Sequence, residues 1–477
     1  MADLAAIGAV IAGLPPTVNP YEVAAGLVFE QTHPPSSHAW KVQLSIIIGL
    51  TSTALLCAIA GVVGKYLQGT FYSFRVYRTL RGRLLVPNAA LLYSATGVVS
   101  LLLAIAYEAQ WYRFYFAEPR ASSFPSRSLE PWVWATLSIG PLVEGWGAAC
   151  ALWLAHAAGR DRLIPPYILN ITFPLLAAGL VAFVGVYCAG LPHYATALDK
   201  SDELIAQMST AASRWTPGSI FAPQVAWLTL GTDIAAELDS YAHFAQIAYA
   251  IICAVVVVVM AVFLPLAAGH FSLARRQIEQ AQADAVRHRR NLPQRKRRAK
   301  EELASSMARS ARFLAAEIGV VLVGGAIFAG LDIWLTRDFI GIATEPRLGA
   351  ICLSMALWTN AIVATSVHAL LAWRAVWPLI AKRRHAAREA RRIQYRPAPL
   401  DIARGIDVHQ TTHVEVSLKA DADATPTTYR PPLDLIELAT YRRDSMSTYE
   451  GTEEMAISLP AVSADRDDDV KQSSYFP

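Results

Sequence analysis

VQLSIIIGLTSTALLCAIAGVV, residues 42 to 63, runs for 22 positions without a charged side chain. A hydrocarbon core about 30 Å thick is crossed by roughly 20 helical residues, because backbone groups left unpaired in lipid are too costly. Val42 to Val63 therefore reads as a membrane-spanning helix. Six further stretches meet the same test: Leu84 to Tyr107, Trp132 to Ala158, Ile164 to Leu191, His243 to Ala268, Phe313 to Trp334 and Leu348 to Val376. Only Gly159 to Leu163 separates the third from the fourth, so a hairpin turning through Arg160, Asp161 and Arg162 is expected there.

Composition supports lipid as the main solvent. The 477 residues are 54% hydrophobic and only 17% charged, with a mean hydropathy of +0.32, whereas soluble domains carry about 25% charged residues. Cys57, Cys150, Cys188, Cys253 and Cys352 all fall inside apolar runs and read as packing residues, not as a disulfide framework. The run Leu4 to Leu14 is about half the length of a span and follows no basic residue, so it matches neither a span nor a secretory signal.

Orientation follows from the connections, since those rich in Lys and Arg stay in the cytosol. The first carries Lys65, Arg75, Arg78, Arg81 and Arg83 without an acidic residue, and the fifth, 269–312, has twelve basic residues against four acidic ones. The fourth, 192–242, holds Asp199, Asp202, Glu203, Asp233, Glu237 and Asp239 against only Lys200 and Arg214. The second and sixth are nearly neutral. Odd connections are therefore cytosolic and even ones external. The resulting expectation is an all-α integral membrane protein of the plasma membrane or an endomembrane. It is a bundle of seven transmembrane helices with the N-terminus outside. Its parts are an extracellular or lumenal segment 1–41, a membrane domain 42–378, a basic juxtamembrane segment 379–396 and a disordered acidic cytosolic tail 397–477.

In topology, loop charge and tail the layout is similar to G-protein-coupled receptors, but the motifs of that class are missing. The third span ends His156-Ala-Ala-Gly-Arg160-Asp161-Arg162 without an acidic-Arg-Tyr triplet, and the seventh lacks Asn-Pro-x-x-Tyr. A retinal protein needs a lysine in its last span, and Leu348 to Val376 has none. Phosphate loops, nucleophile elbows and paired metal-ligand histidines are absent, so neither an enzyme nor a cofactor is expected.

Candidate site residues come from polar groups within spans. Glu144, in Pro141-Leu-Val-Glu144-Gly145-Trp146-Gly147, should point into the bundle, because a carboxyl facing lipid costs several kcal/mol. Asn360 or Thr359 of the last span is its expected partner. Asn360 and His368 share the inward side of that span with Ser354 and Thr365 and are candidates for ligand or proton contact with Glu144. Glu317 should pair with a loop arginine, and Asp332, near a span end, should reach water. Asn170-Ile171-Thr172 matches a glycosylation sequon inside a span and should be unmodified.

The fifth connection reads as two helices, Ser272 to Arg290 and Gln294 to Arg312, broken at Asn291-Leu-Pro293 and extending two spans as a cytosolic arm. Arg295, Lys296, Arg297, Arg298 and Lys300 on the arm would meet anionic lipid headgroups or a cytosolic signalling partner. So would Lys382, Arg383 and Arg384, in a segment expected to lie as a helix under the bilayer. Nucleic acid is a poor candidate beneath a membrane. Arg442-Arg443-Asp444-Ser445 suits a kinase that reads upstream basic residues, which makes Ser445 a candidate phosphorylation site. A receptor-like sensor signalling through arm and tail is the leading reading; a proton-linked carrier using Glu144 and a non-catalytic scaffold are the alternatives.

Overall fold

The computed structural model describes residues 10–32, 37–79, 82–117, 122–157, 165–219, 224–287 and 294–394. The chain divides into Met1–Pro432 and Leu433–Pro477, and all of these residues belong to the first part. Eight long helices and one strand pair follow in order: α1 Pro20–Thr32, α2 His38–Leu67, β1 Phe74–Thr79, β2 Gly82–Pro87, α3 Ala89–Phe116, α4 Phe124–Ala157, α5 Pro166–Ser213, α6 Val225–Arg287, α7 Gln294–Thr344 and α8 Pro346–Gln394. The helices α2 to α8 are seven in number and each is long and apolar enough to cross a membrane. The seven apolar runs of the sequence are thus seven helices.

The spans form a closed ring in chain order. Each packs against the next, α8 closes onto α2, and α4 also touches α6 across the ring. Small residues set the separations, since helices in lipid adhere through close van der Waals contact. A Cβ added at Gly64 of α2 would lie 2.8 Å from Ala375 Cβ of α8, and one at Gly190 of α5 would lie 2.8 Å from Phe244 Cβ of α6. On α7, Gly325 faces Met260 of α6 while its neighbour Gly324 faces Val363 of α8. Thr365 Oγ1 donates to the Leu50 carbonyl at 3.0 Å and adds a polar clasp between α8 and α2.

The first connection is more ordered than its basic composition suggests, and Leu84 to Pro87 is strand instead of span. Antiparallel β1 and β2 pair from Phe74 opposite Pro87 to Thr79 opposite Gly82. Gly82 has φ +126, a conformation that a side chain would strain. Asn88 ends the hairpin and starts α3: its Nδ2 donates to the Thr70 carbonyl at 2.8 Å, and its Oδ1 accepts from the Leu91 N–H. Leu84 and Val86 are buried on the side that meets α4 and α5. Asn170 of α5 clamps the strand through Leu85 N–H to Oδ1 (3.1 Å) and Nδ2 to the Arg83 carbonyl (2.9 Å). The sequon asparagine is therefore a fastener of the hairpin.

The fourth connection also differs from expectation, because most of it is helix. α5 has 48 residues and α6 has 63, and at about 1.5 Å per residue both far exceed the hydrocarbon core. α5 continues through Pro192 to Ser213, and α6 starts at Val225 instead of His243. α1 packs on this extension through Ala24, Ala25 and Val28 against Leu204, Met208 and Trp227. Asn19 caps α1 by accepting from Tyr21 N–H and ties it to α5 by donating to the Ala212 carbonyl at 2.9 Å. The N-terminal segment and the fourth connection thus share one end of the bundle.

Two other boundaries move. α8 runs through Pro378 to Gln394 as one helix, so the basic segment continues the last span and does not form a separate interfacial helix. α7 begins at Gln294 and reaches Thr344, with non-helical angles only at Asp338, whose Oδ1 accepts from the Gly341 N–H at 3.1 Å and caps the final turn. The hairpin turn expected at Arg160 to Arg162 lies outside the described residues.

Candidate functional site

Inside the ring lies a cavity of about 320 Å³, lined mainly by α3, α4, α6, α7 and α8. It extends to Thr32 at the end of α1 and to Gly349 and Ala350 at the start of α8, so it approaches the bundle end that carries α1.

At that end the wall is built around Glu130. Arg127, one turn earlier on α4, places Nη1 2.9 Å from Glu130 Oε2. The Tyr187 hydroxyl of α5 donates to the same oxygen at 3.0 Å, and the Tyr249 hydroxyl of α6 donates to Oε1 at 2.6 Å. Tyr241 continues the network, with its hydroxyl 2.8 Å from that of Tyr187. The Arg127 guanidinium also lies 5.5 Å from the Trp111 ring, within cation–π range. Three helices thus converge on one carboxylate, whose charge is matched by one guanidinium.

Asp332 of α7 lines the middle of the wall and is only 8% exposed. It does not stand at a span end as expected, because the apolar helix continues past it to Ile342. Phe328, Asp332 and Leu335 recur at helical spacing, Phe339 follows the kink at Asp338, and all four line the cavity. Phe328 packs on Trp134 of α4 with ring centroids 5.6 Å apart, and Phe339 packs on Tyr249 at 6.0 Å. Along α7, Asp332 therefore stands between two residues that make aromatic pairs across to α4 and α6.

Asn360 and His368 of α8 line the same cavity, as an inward face of the last span predicts. Asn360 Nδ2 is buried without a hydrogen-bond partner, so the expected Glu144–Asn360 bond through that amide is not made. The His368 ring meets Tyr93 edge-on at 5.5 Å and occupies the space that a side chain at Gly97 would take.

Glu144 is buried at 9% exposure but is not part of the cavity wall. Tyr93 lies within electrostatic range of both Glu144 and Glu317. Glu317 is paired with Arg374 of α8 at 3.6 Å, an arginine within the last helix instead of in a loop. The three residues proposed from sequence as one contact set are thus divided: Asn360 and His368 face the cavity, and Glu144 lies behind it.

Arg295, Lys296, Arg297, Arg298 and Lys300 fall in the first turns of α7. Lys382, Arg383 and Arg384 are exposed on α8, with the Arg384 guanidinium 5.9 Å from the Trp377 ring. Ser445 lies outside the described residues.

Sequence reasoning passed over Arg127, Glu130 and the tyrosines around them. The pair stands just before the apolar run at Trp132, where charges are ordinarily solvated, and its i, i+3 spacing was the available signal. No family model, curated protein or solved structure matches this chain.

Proposed function

We propose that the chain is a receptor-like, multi-pass membrane protein that senses a ligand in its central cavity and signals through its basic arm and C-terminal tail. In this reading the N-terminus and the bundle end that the cavity approaches face outside, and the arm and the tail face the cytosol, where Ser445 is the candidate for a kinase. The observation that carries it is the continuity of α6 and α7. Tyr249, Ile252, Val259 and Met260 of α6 and Leu331, Phe328, Gly324 and Val321 of α7 line the cavity, and the same two helices continue into the basic connection, α6 through Pro265. A small change of packing at the cavity is then carried along two rods to Arg276 and Ser305, which are exposed on the arm. Packed helices in contact tend to hold discrete arrangements, which suits a switch.

Spin labels at Arg276→Cys and Ser305→Cys, in the full chain in lipid nanodiscs, test the reading. Fractions of an organic extract from the native membranes supply the ligand. The expected result is that one fraction changes the inter-label distance without net uptake of solute into proteoliposomes. Uptake that disappears in Glu144→Gln, with the distance unchanged, supports the carrier instead. Neither response is what a scaffold gives.

A further inference from the structure

We infer that the cavity takes an organic monocation, a protonated amine on an apolar or aromatic body, with Asp332 as its counter-charge. This rests on the cavity being the ligand site of the receptor-like reading.

The charges on the cavity wall do not balance. Glu130 accepts from Arg127, Tyr187 and Tyr249, so this carboxylate and this guanidinium neutralise one another within one network. Asp332 stands outside that network: among the described residues its backbone carbonyl accepts from Thr336, but no side chain donates to its carboxyl or forms an ion pair with it. An ionised carboxyl in an apolar bundle is unfavourable by several kcal/mol unless a counter-charge approaches it, and a cation that does so holds the group in its charged form. The wall therefore presents one uncompensated acidic group to whatever enters.

What surrounds that group selects the kind of cation. Trp134 with Phe328 lies on one side along α7, and Tyr249 with Phe339 on the other. Aromatic faces attract an ammonium through the ring quadrupole, and the attraction grows when water is excluded. A small, strongly hydrated inorganic ion gains little from such walls, whereas an amine on a hydrophobic body uses both carboxylate and rings. A cavity of about 320 Å³ falls at the lower end of the size range of small-molecule pockets. The buried Asn360 Nδ2, which lacks a protein partner, adds a donor for a hydroxyl or carbonyl on the same ligand.

The test uses the full chain in nanodiscs and three probes of nearly one shape: 4-phenylbutylamine, 4-phenylbutan-1-ol and 4-phenylbutanoate. Thermal unfolding midpoints are followed against probe concentration. The amine should raise the midpoint at a concentration at least tenfold below that needed for the alcohol, and the acid should not raise it. Asp332→Asn should lose the tenfold preference while keeping the alcohol response, and Asp332→Glu should retain it, which separates loss of charge from loss of fold. Equal responses to amine and alcohol, no response to any probe, an unchanged preference in Asp332→Asn, or a full response to sodium chloride alone would each overturn the inference. Tightest binding by the acid, removed by Arg127→Met, would also overturn it and leave the receptor-like reading standing. Amine binding that leaves the label distance at Arg276 and Ser305 unchanged would uphold the cation and count against the receptor.

Discussion

Glu130 accepts from three donors supplied by α4, α5 and α6, so removing its carboxylate strands the Arg127 guanidinium and the Tyr249 phenol and leaves Tyr187 only its bond to Tyr241. Glu130→Leu is expected to destabilise the bundle by about 3 to 5 kcal/mol, since breaking one side of a buried pair leaves the other uncompensated. The double variant Arg127→Met with Glu130→Leu should recover part of that loss. Unfolding by detergent titration in bicelles checks both, and a double variant no more stable than the single one would contradict the account. Gly97 gives a second test, because any side chain there meets the His368 ring. Gly97→Ala should cost about 1 to 3 kcal/mol from overpacking, and His368→Ala in the same chain should restore much of it. Of these residues only His368 was legible in the sequence, as a polar group in an apolar span. Glu130 and Arg127 were not, because the tyrosines that cover them come from helices 57 to 119 positions away. Long-range cover of this kind leaves no local pattern.

The spans were legible because lipid imposes a rule that a single chain must obey by itself: about 20 apolar residues, with backbone bonds made inside the segment. The hairpin β1–β2 obeys no such rule. Its pairing is set by contacts with α4 and α5, and its leucines merge in sequence with the apolar run of α3. The helical extension of α5 and α6 was hidden for a related reason, since its polar surface reads as a loop while its apolar contacts are made with α1. Asn170 tests the hairpin as an element. Asn170→Ala orphans the Leu85 N–H and the Arg83 carbonyl, and should cost about 1 to 2 kcal/mol. Amide exchange at Leu85 should accelerate, with protection in α2 unchanged. Exchange at Leu85 as slow as in the parent chain would show that the clamp is idle.

At the scale of the whole molecule, α1 and the α5–α6 extension lie at one end, and the strand pair β1–β2 meets α4 and α5 at the other. That arrangement joins the end that the cavity approaches to the basic arm at the opposite end through α6 and α7. The claim that the first faces outside and the second faces the cytosol is tested most directly by labelling with an impermeant thiol reagent. Ser201, in the acidic fourth connection, is buried within α5 and unsuitable, whereas Pro217 is exposed in the turn beyond α5, and Ser305 is exposed on the arm. In a chain whose own cysteines are replaced by Ala, Pro217→Cys should react on intact cells and Ser305→Cys only after permeabilisation. Reaction of Ser305→Cys on intact cells with protection of Pro217→Cys would reverse the orientation, and equal reaction of both would contradict the seven-span account itself.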